Sequence, residues 1–223
     1  MIQGSPEWFS ARCGAFTASR AADLVAKTKS GPSTSRANLL ALLAIERITG
    51  QPVETYSNAA MERGTALEPE ARAAYEVLSG VLVEEVGYIQ HPTMPYAGCS
   101  PDGLCGDDGL VEIKAPAAMA KHLDALRKGS HAVEYRMQVM WQMMVTGRAW
   151  CDVVSYDPRW PDGLQIAVTR VMRDDGVIAD LESECVRAEA DLQSIVAELL
   201  DLFAETKDKR YPRTSSTAAR RRR

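Results

Sequence analysis

The 223-residue chain, 46% hydrophobic and 25% charged, is long enough for one domain with a proper core and too short for several. Its net charge of -4 conceals an asymmetry: residues 207–223 hold eight basic side chains and one acidic, so the preceding body carries -11 and repels a polyanion unless positive charge gathers where that polyanion lies. No basic-then-apolar leader occupies Met1 to Ala15, the apolar stretch Leu39 to Ile45 is far too short to span a bilayer, and five cysteines without a Cys-x-x-Cys pair argue against zinc or iron-sulfur ligation and for a reducing, cytoplasmic setting.

In chain order, Ser5 to Cys13 reads as a short helix with Trp8 and Arg12 one turn apart. Ser19 is placed to cap a helix from Arg20 to Ala26, a polar loop follows from Lys27 to Ser35, and Arg36 to Thr49 forms an amphipathic helix closed by Gly50. Positive charge in this region (Arg12, Arg20, Lys27, Lys29, Arg36) offers one surface for a polyanion. Asn58 to Leu78 is helical, with interruptions expected near Gly64 and Pro69 and a stop at Gly80.

The period then changes. Val81–Gln90, Tyr96–Ser100, Leu110–Ala115, Trp150–Asp157 and Leu164–Met172 are short, apolar or alternating, and bounded by turn residues, as expected for strands of one sheet. Two helical patterns, Ala118–Lys128 and Val133–Thr146, separate the third strand from the fourth and imply a crossover with parallel pairing. Asp174 to Glu205 is a long acidic helix or helix pair, with Val177, Leu181, Leu192, Ile195, Val196 and Leu199 as its buried stripe. The expected organisation is a single domain over 1–206 and a basic, disordered tail over 207–223, to which no mechanism attaches.

The chemistry concentrates between Ser100 and Lys114. Asp102 lies ten residues before Glu112-Ile113-Lys114, and side chains alternate along a strand, so Glu112 and Lys114 project to one side while Ile113 enters the opposite layer. Taken singly, Asp102-Gly103 is a hairpin turn signal and Glu112-x-Lys114 a wetted strand face. Together, on a β-branched strand with apolar flanks, a carboxylate and an amine need a reason to be there. Two carboxylates and an ammonium at one sheet end suit phosphodiester hydrolysis with magnesium, which takes oxygen ligands. Glu68, which also fits a capping box with Thr65, offers a third carboxylate from a helix packed on that sheet.

Trp8 with Arg12, Thr17-Ala18-Ser19, Gly64 followed by Glu68, Cys99-Ser100-Pro101-Asp102-Gly103-Leu104, Glu112-x-Lys114-x-Pro116 and Asp157-Pro158-Arg159 together resemble the family of bacteriophage lambda exonuclease and its YqaJ-like relatives among viral recombination nucleases. The resemblance runs from about Trp8 to Arg170 and implies an α/β fold of the PD-(D/E)XK nuclease class, a central mixed β-sheet flanked by helices. It implies that Asp102, Glu112 and the main-chain oxygen of Ile113 ligate metal, with Glu68 as a further acidic group, and that Lys114 orients or deprotonates the attacking water. Two Mg2+ ions per site are implied, with Mn2+ as a substitute. Gln138 falls at a family active-site glutamine, although by pattern alone it is equally a polar residue on a core helix.

Arg12, Ser19 and Ser100 resemble the family's pocket for a terminal 5′-phosphate, where a guanidinium grips an anion with two hydrogen bonds beside free helix-terminal amides. Trp8 would stack near the terminal nucleotide or belong to the core, Lys29 matches a basic position near the DNA backbone, and Met61 matches an apolar residue that wedges between bases. One acidic family position, ten residues before Asp102, is Pro92 here. The implied activity is 5′-to-3′ degradation of linear double-stranded DNA bearing a 5′-phosphate, by a homotrimeric ring working with a phage single-strand annealing protein. The alternatives are an endonuclease on the same core and a catalytically silent DNA-binding recombination scaffold.

Overall fold

The structure is a computed structural model that describes residues 1–28, 31–53 and 59–210, the side chains of 32 and 207–210 excepted. Helix α1 (Pro6–Arg12) starts where expected, because the Ser5 hydroxyl accepts the Trp8 N–H and proline occupies its first turn. Strand β1 (Phe16–Thr17) leads into a 3-10 turn over Ala18–Arg20 and helix α2 (Ala21–Val25). The cap expected at Ser19 is not formed: Ser19 lies inside the 3-10 turn, and α2 begins at Arg20 without a side-chain cap. Strands β2 (Lys27–Thr28) and β3 (Gly31–Pro32) pair as a small hairpin ahead of α3 (Thr34–Thr49). Ser33 caps α3, and Gly50 closes it in the left-handed conformation at φ 65°.

Helix α4 (Ala59–Ser79) is continuous through Gly64 and Pro69, where interruptions were expected. Proline removes one N–H, yet Ala71 and Tyr75 are fully buried against Val111, Ile113, Val154 and Tyr156, and that packing holds the helix through the missing bond. The capping box at Thr65 is likewise absent, since the Thr65 hydroxyl donates back to the Met61 carbonyl at 3.3 Å within the helix.

Among the described residues the expected single sheet is three. Strand β4 (Val83–Glu84) and strand β5 (Ile89–Gln90), which the pattern joined into one, belong to different sheets. Between them Gly87 packs on Met1, where a Cβ would stand 2.4 Å from the Met1 carbonyl oxygen. A three-stranded sheet orders β1, β6 (Ala97–Cys99) and β5. The main sheet runs β10 (Ile166–Met172), β9 (Trp150–Tyr156), β8 (Gly109–Lys114), β7 (Gly103–Cys105) and β4. Strand β7 sits where the sequence suggested a loop, and hairpin pairing of Gly103 with Val111 makes the Asp102 segment part of the sheet.

Only β8 and β9 pair in parallel within the main sheet, with Lys114 opposite Ser155, so the expected crossover is present. It passes through α5 (Met119–Lys128), α6 (Ser130–Glu134) and α7 (Arg136–Thr146). Helix α8 (Asp175–Arg210) is one helix rather than a pair. Its buried stripe is Ile178, Leu181, Cys185, Ala188 and Leu192, while Leu199, expected inside, is 42% exposed. The core forms two layers: Leu110, Cys151 and Val153 face α3, α7 and α8, and Val111, Ile113 and Val154 face α4. Alternation along β8 therefore sends Glu112 and Lys114 to the α7 side.

Candidate active site

Glu112 is 2% exposed, and both of its oxygens are held. Oε1 accepts from Lys114 Nζ and Gln138 Nε2, each at 2.5 Å, while Oε2 accepts from Gln142 Nε2 at 2.6 Å. Gln138 and Gln142 stand one turn apart on α7, so a single helix face aims two amide donors at one carboxylate. Gln138, expected at an active-site position, is thereby joined to Glu112. Gln142, which is fully buried, is a residue that sequence reasoning missed. Its i, i+4 spacing from Gln138 inside an apolar helix was the available signal.

Asp102 lies at the mouth of β7, and its Oδ2 accepts the Ile113 N–H at 2.6 Å. Burial first, then the charge of Glu112, pushes its carboxyl well above the ordinary value of 3.8, and Glu68 adds to the effect while Lys114 opposes it. Burial works to lower the Lys114 amine, but the charges of Glu112 and Asp102 outweigh it and hold the ammonium above its ordinary range. That ammonium also lies 4.6 Å from the centre of the Tyr135 ring. Glu68 turns to Arg72 at 2.8 Å, and Arg72 also contacts Glu85. Burial still raises the Glu68 carboxyl, Arg72 pulling it back and Glu112 pushing it further up.

The donor set suits a hard divalent cation. Asp102 and Glu112 are oxygen donors whose mutual repulsion in a water-poor site is relieved by positive charge. Among the described residues no three His, Cys, Asp or Glu side chains form a complete cage, so the fit rests on these two carboxylates together with main-chain oxygen. The exit of β8 just beyond Lys114 is clamped: Arg63 donates to the Ala115 carbonyl at 2.9 Å and Arg159 to the Ala117 carbonyl at 3.0 Å. Both guanidinium groups are in turn held by the fully buried Asp157. This gives the Asp157-Pro158-Arg159 motif a positional role behind Lys114.

A second cluster sits at α1. Trp8 Nε1 donates to the Ser100 hydroxyl at 2.9 Å, Arg12 Nη1 donates to the same oxygen at 3.4 Å, and the guanidinium lies 3.9 Å from the Trp8 ring centre. Three other basic residues of the expected amino-terminal patch are neutralised: Arg20 pairs with Asp23, Lys27 with Glu184, and Arg36 with Glu184 and Asp191. Among the described residues, Arg12 has no carboxylate partner, and burial pulls its guanidinium below the ordinary value. The exposed Ser19 is not drawn in; its hydroxyl lies 3.5 Å from that of Thr17. Met61, for which core burial was the alternative, is 54% exposed on α4. Lys29 lies outside the described residues.

Residues 7–149 match the YqaJ-like viral recombinase domain. The chain belongs to that family. The alkaline exonuclease LHK-Exo from Laribacter hongkongensis is 46% identical and covers 91% of this chain and 100% of its own, with a TM-score of 0.82. A structure of LHK-Exo in complex with dAMP gives the same identity and coverage and a TM-score of 0.83. A phage related exonuclease from Haemophilus somnus 129PT shares the fold, with a TM-score of 0.69 over 83% of this chain and 96% of its own, at 11% identity. Comparison with curated proteins found no match. The mixed sheet flanked by helices is thus a nuclease fold of the YqaJ-like viral recombinase family, related to alkaline exonucleases. Among the described residues no helix is long and apolar enough to cross a membrane.

Proposed function

We propose that this protein is a magnesium-dependent 5′-to-3′ exonuclease, which degrades one strand of linear duplex DNA to mononucleotides and leaves a 3′ single-stranded tail for phage recombination. The observation that carries the reading is the separation of two sites along one short segment. Ser100, in the Arg12 cluster, precedes Asp102 of the acidic centre by two residues. Two residues reach at most about 7 Å, the span of one or two nucleotides. A strand end gripped at Arg12 therefore presents its first linkages to Asp102 and Glu112. LHK-Exo is described with dAMP, a mononucleotide of the kind such cleavage releases.

Asp102, Glu112 and the Ile113 carbonyl would hold magnesium, with Glu68 near enough to act on it electrostatically. When bound, magnesium supplies positive charge to the phosphodiester oxygens at the cleavage point. Lys114, kept protonated by its carboxylate neighbours, suits holding the attacking water and the developing negative charge better than taking a proton. Gln138 and Gln142 fix the direction of the Glu112 oxygens. Met61, exposed on the helix that carries Glu68, would meet the duplex ahead of the centre. Lys29 would meet the backbone.

A ring-shaped homotrimer acting with a phage single-strand annealing protein in the cytoplasm completes the reading, with manganese able to replace magnesium. Val77, Leu78 and Leu82, exposed by 87, 61 and 82%, supply apolar surface for self-association. Linear duplex with magnesium is expected to yield mononucleotides, and chelator is expected to stop the reaction. Covalently closed circular duplex should remain intact; nicking of the circle would favour the endonuclease reading, and no cleavage of either would favour a silent scaffold. Substituting Arg12 by alanine is expected to reduce the rate on 5′-phosphorylated ends relative to 5′-hydroxyl ends by about tenfold, the worth of one charge-assisted contact. Equal native rates on both ends would remove the end-binding pocket.

A further inference from the structure

Tyr88 lies just before β5. The antiparallel register of that strand places Ile89 opposite Cys99 and Gln90 opposite Gly98, so one further step sets Tyr88 opposite Ser100. Residues facing each other across an antiparallel pair share a sheet face, as do Gly98 and Ser100 by alternation. The phenol lies over Gly98: a Cβ there would stand 2.3 Å from both the ring carbon Cζ and the hydroxyl oxygen. Glycine at this position is the condition for the ring to lie flat against the strand beside Ser100.

The Tyr88 hydroxyl is buried and has no hydrogen-bond partner among the described residues. Leaving a hydroxyl in that state costs about 1–3 kcal/mol, and such groups in native structures call for an explanation. Nearby stands Arg12, half-buried without a carboxylate, whose charge interacts with Tyr88. An unmet donor beside a cation with no ion-paired carboxylate among the described residues is an environment that a polyoxygen anion completes.

We propose that the Tyr88 hydroxyl is a further specificity-determining donor for the terminal 5′-phosphate, acting with Arg12 and Ser100. The inference rests on the end-binding reading above and deepens it. Burial pushes the phenol up to about 12, so it remains a protonated donor wherever the enzyme would work. Reaching the enclosed oxygen requires a side-chain movement. Arg12, held at Ser100 by a long 3.4 Å hydrogen bond and by stacking on Trp8, is the group with freedom to make it.

Tyr88→Phe isolates the hydroxyl, because it keeps the ring that packs on Gly98. Initial rates on duplexes with 5′-phosphate and 5′-hydroxyl ends, resolved into kcat and KM, are compared with the native chain alongside thermal melting. The expected result is a loss of about tenfold in the preference for the phosphate, expressed mainly in KM, with the melting temperature unchanged or raised. A native preference that survives intact in Tyr88→Phe overturns the role of Tyr88 while leaving the Arg12 pocket standing. No preference in the native chain overturns both. A clear drop in melting temperature overturns the proposal too, since it would show the hydroxyl bonded within the fold.

Discussion

Lys114→Ala is expected to lower the rate of duplex degradation by about 10³-fold while DNA binding and the folded state are retained. The magnitude is that of removing a preorganised charge or proton-handling group from a transition state. The ammonium sits 2.5 Å from Glu112 Oε1 and 4.6 Å from the centre of the Tyr135 ring, and alanine supplies no charge in its place. The fold should survive because Glu112 keeps the amide donors of Gln138 and Gln142, which leaves the carboxylate hydrogen-bonded though less well neutralised. Gel assays of product release, paired with duplex binding and circular dichroism, check the result. Near-native turnover would remove Lys114 from the chemistry.

The second large effect has opposite signs for stability and activity. Asp102→Asn is expected to abolish cleavage yet raise the melting temperature of the metal-free protein at neutral pH. Burial and the charge of Glu112 raise the Asp102 carboxyl well above its ordinary 3.8, so the native state binds its proton more tightly than the unfolded chain does. The resulting stability is fully present below the unfolded value. It is lost as pH rises through the raised folded value, where the carboxylate must ionise next to Glu112. Asparagine keeps the acceptor for the Ile113 N–H and never ionises.

The gain is expected to be roughly 1–3 kcal/mol, a melting shift of several degrees. It should vanish near pH 4, where the native carboxyl is protonated, and magnesium should narrow it by stabilising the native chain alone. Melting curves across pH, in chelator and in magnesium, read this directly. A variant that melts below the native chain at neutral pH would show that the site carries no stored repulsion.

Much of the centre was legible before any coordinates. Asp102, Glu112 and Lys114 stood out because an acidic-x-lysine pair on a β-branched strand violates the usual sorting of charge to the surface, and alternation alone put both side chains on one face. The crossover was legible too, because two helical periods between apolar strands demand one. Other expectations failed for a common reason. Gly64, Pro69 and the capping box at Thr65 are local helix-breaking signals, and the burial of Ala71 and Tyr75 against β8 and β9 overrode them. The join of Val81 to Gln90 failed because its two ends pair with different partners, Val83 with Cys105 and Ile89 with Cys99, in different sheets.

What the order of residues determined is the chemistry on offer: two carboxylates and a lysine on one sheet segment, a guanidinium one turn from an indole, and periods that set strand against helix. Tertiary structure decided which groups meet. It paired Arg20, Lys27 and Arg36 with carboxylates on α2 and α8, left Arg12 without one among the described residues, brought Trp8 to Ser100 across 92 positions, and turned Gln142 toward Glu112 across 30. Such contacts leave no period in a sequence, because the partners are separated by whole elements and are joined only when burial of the two core layers fixes the helices against the sheet.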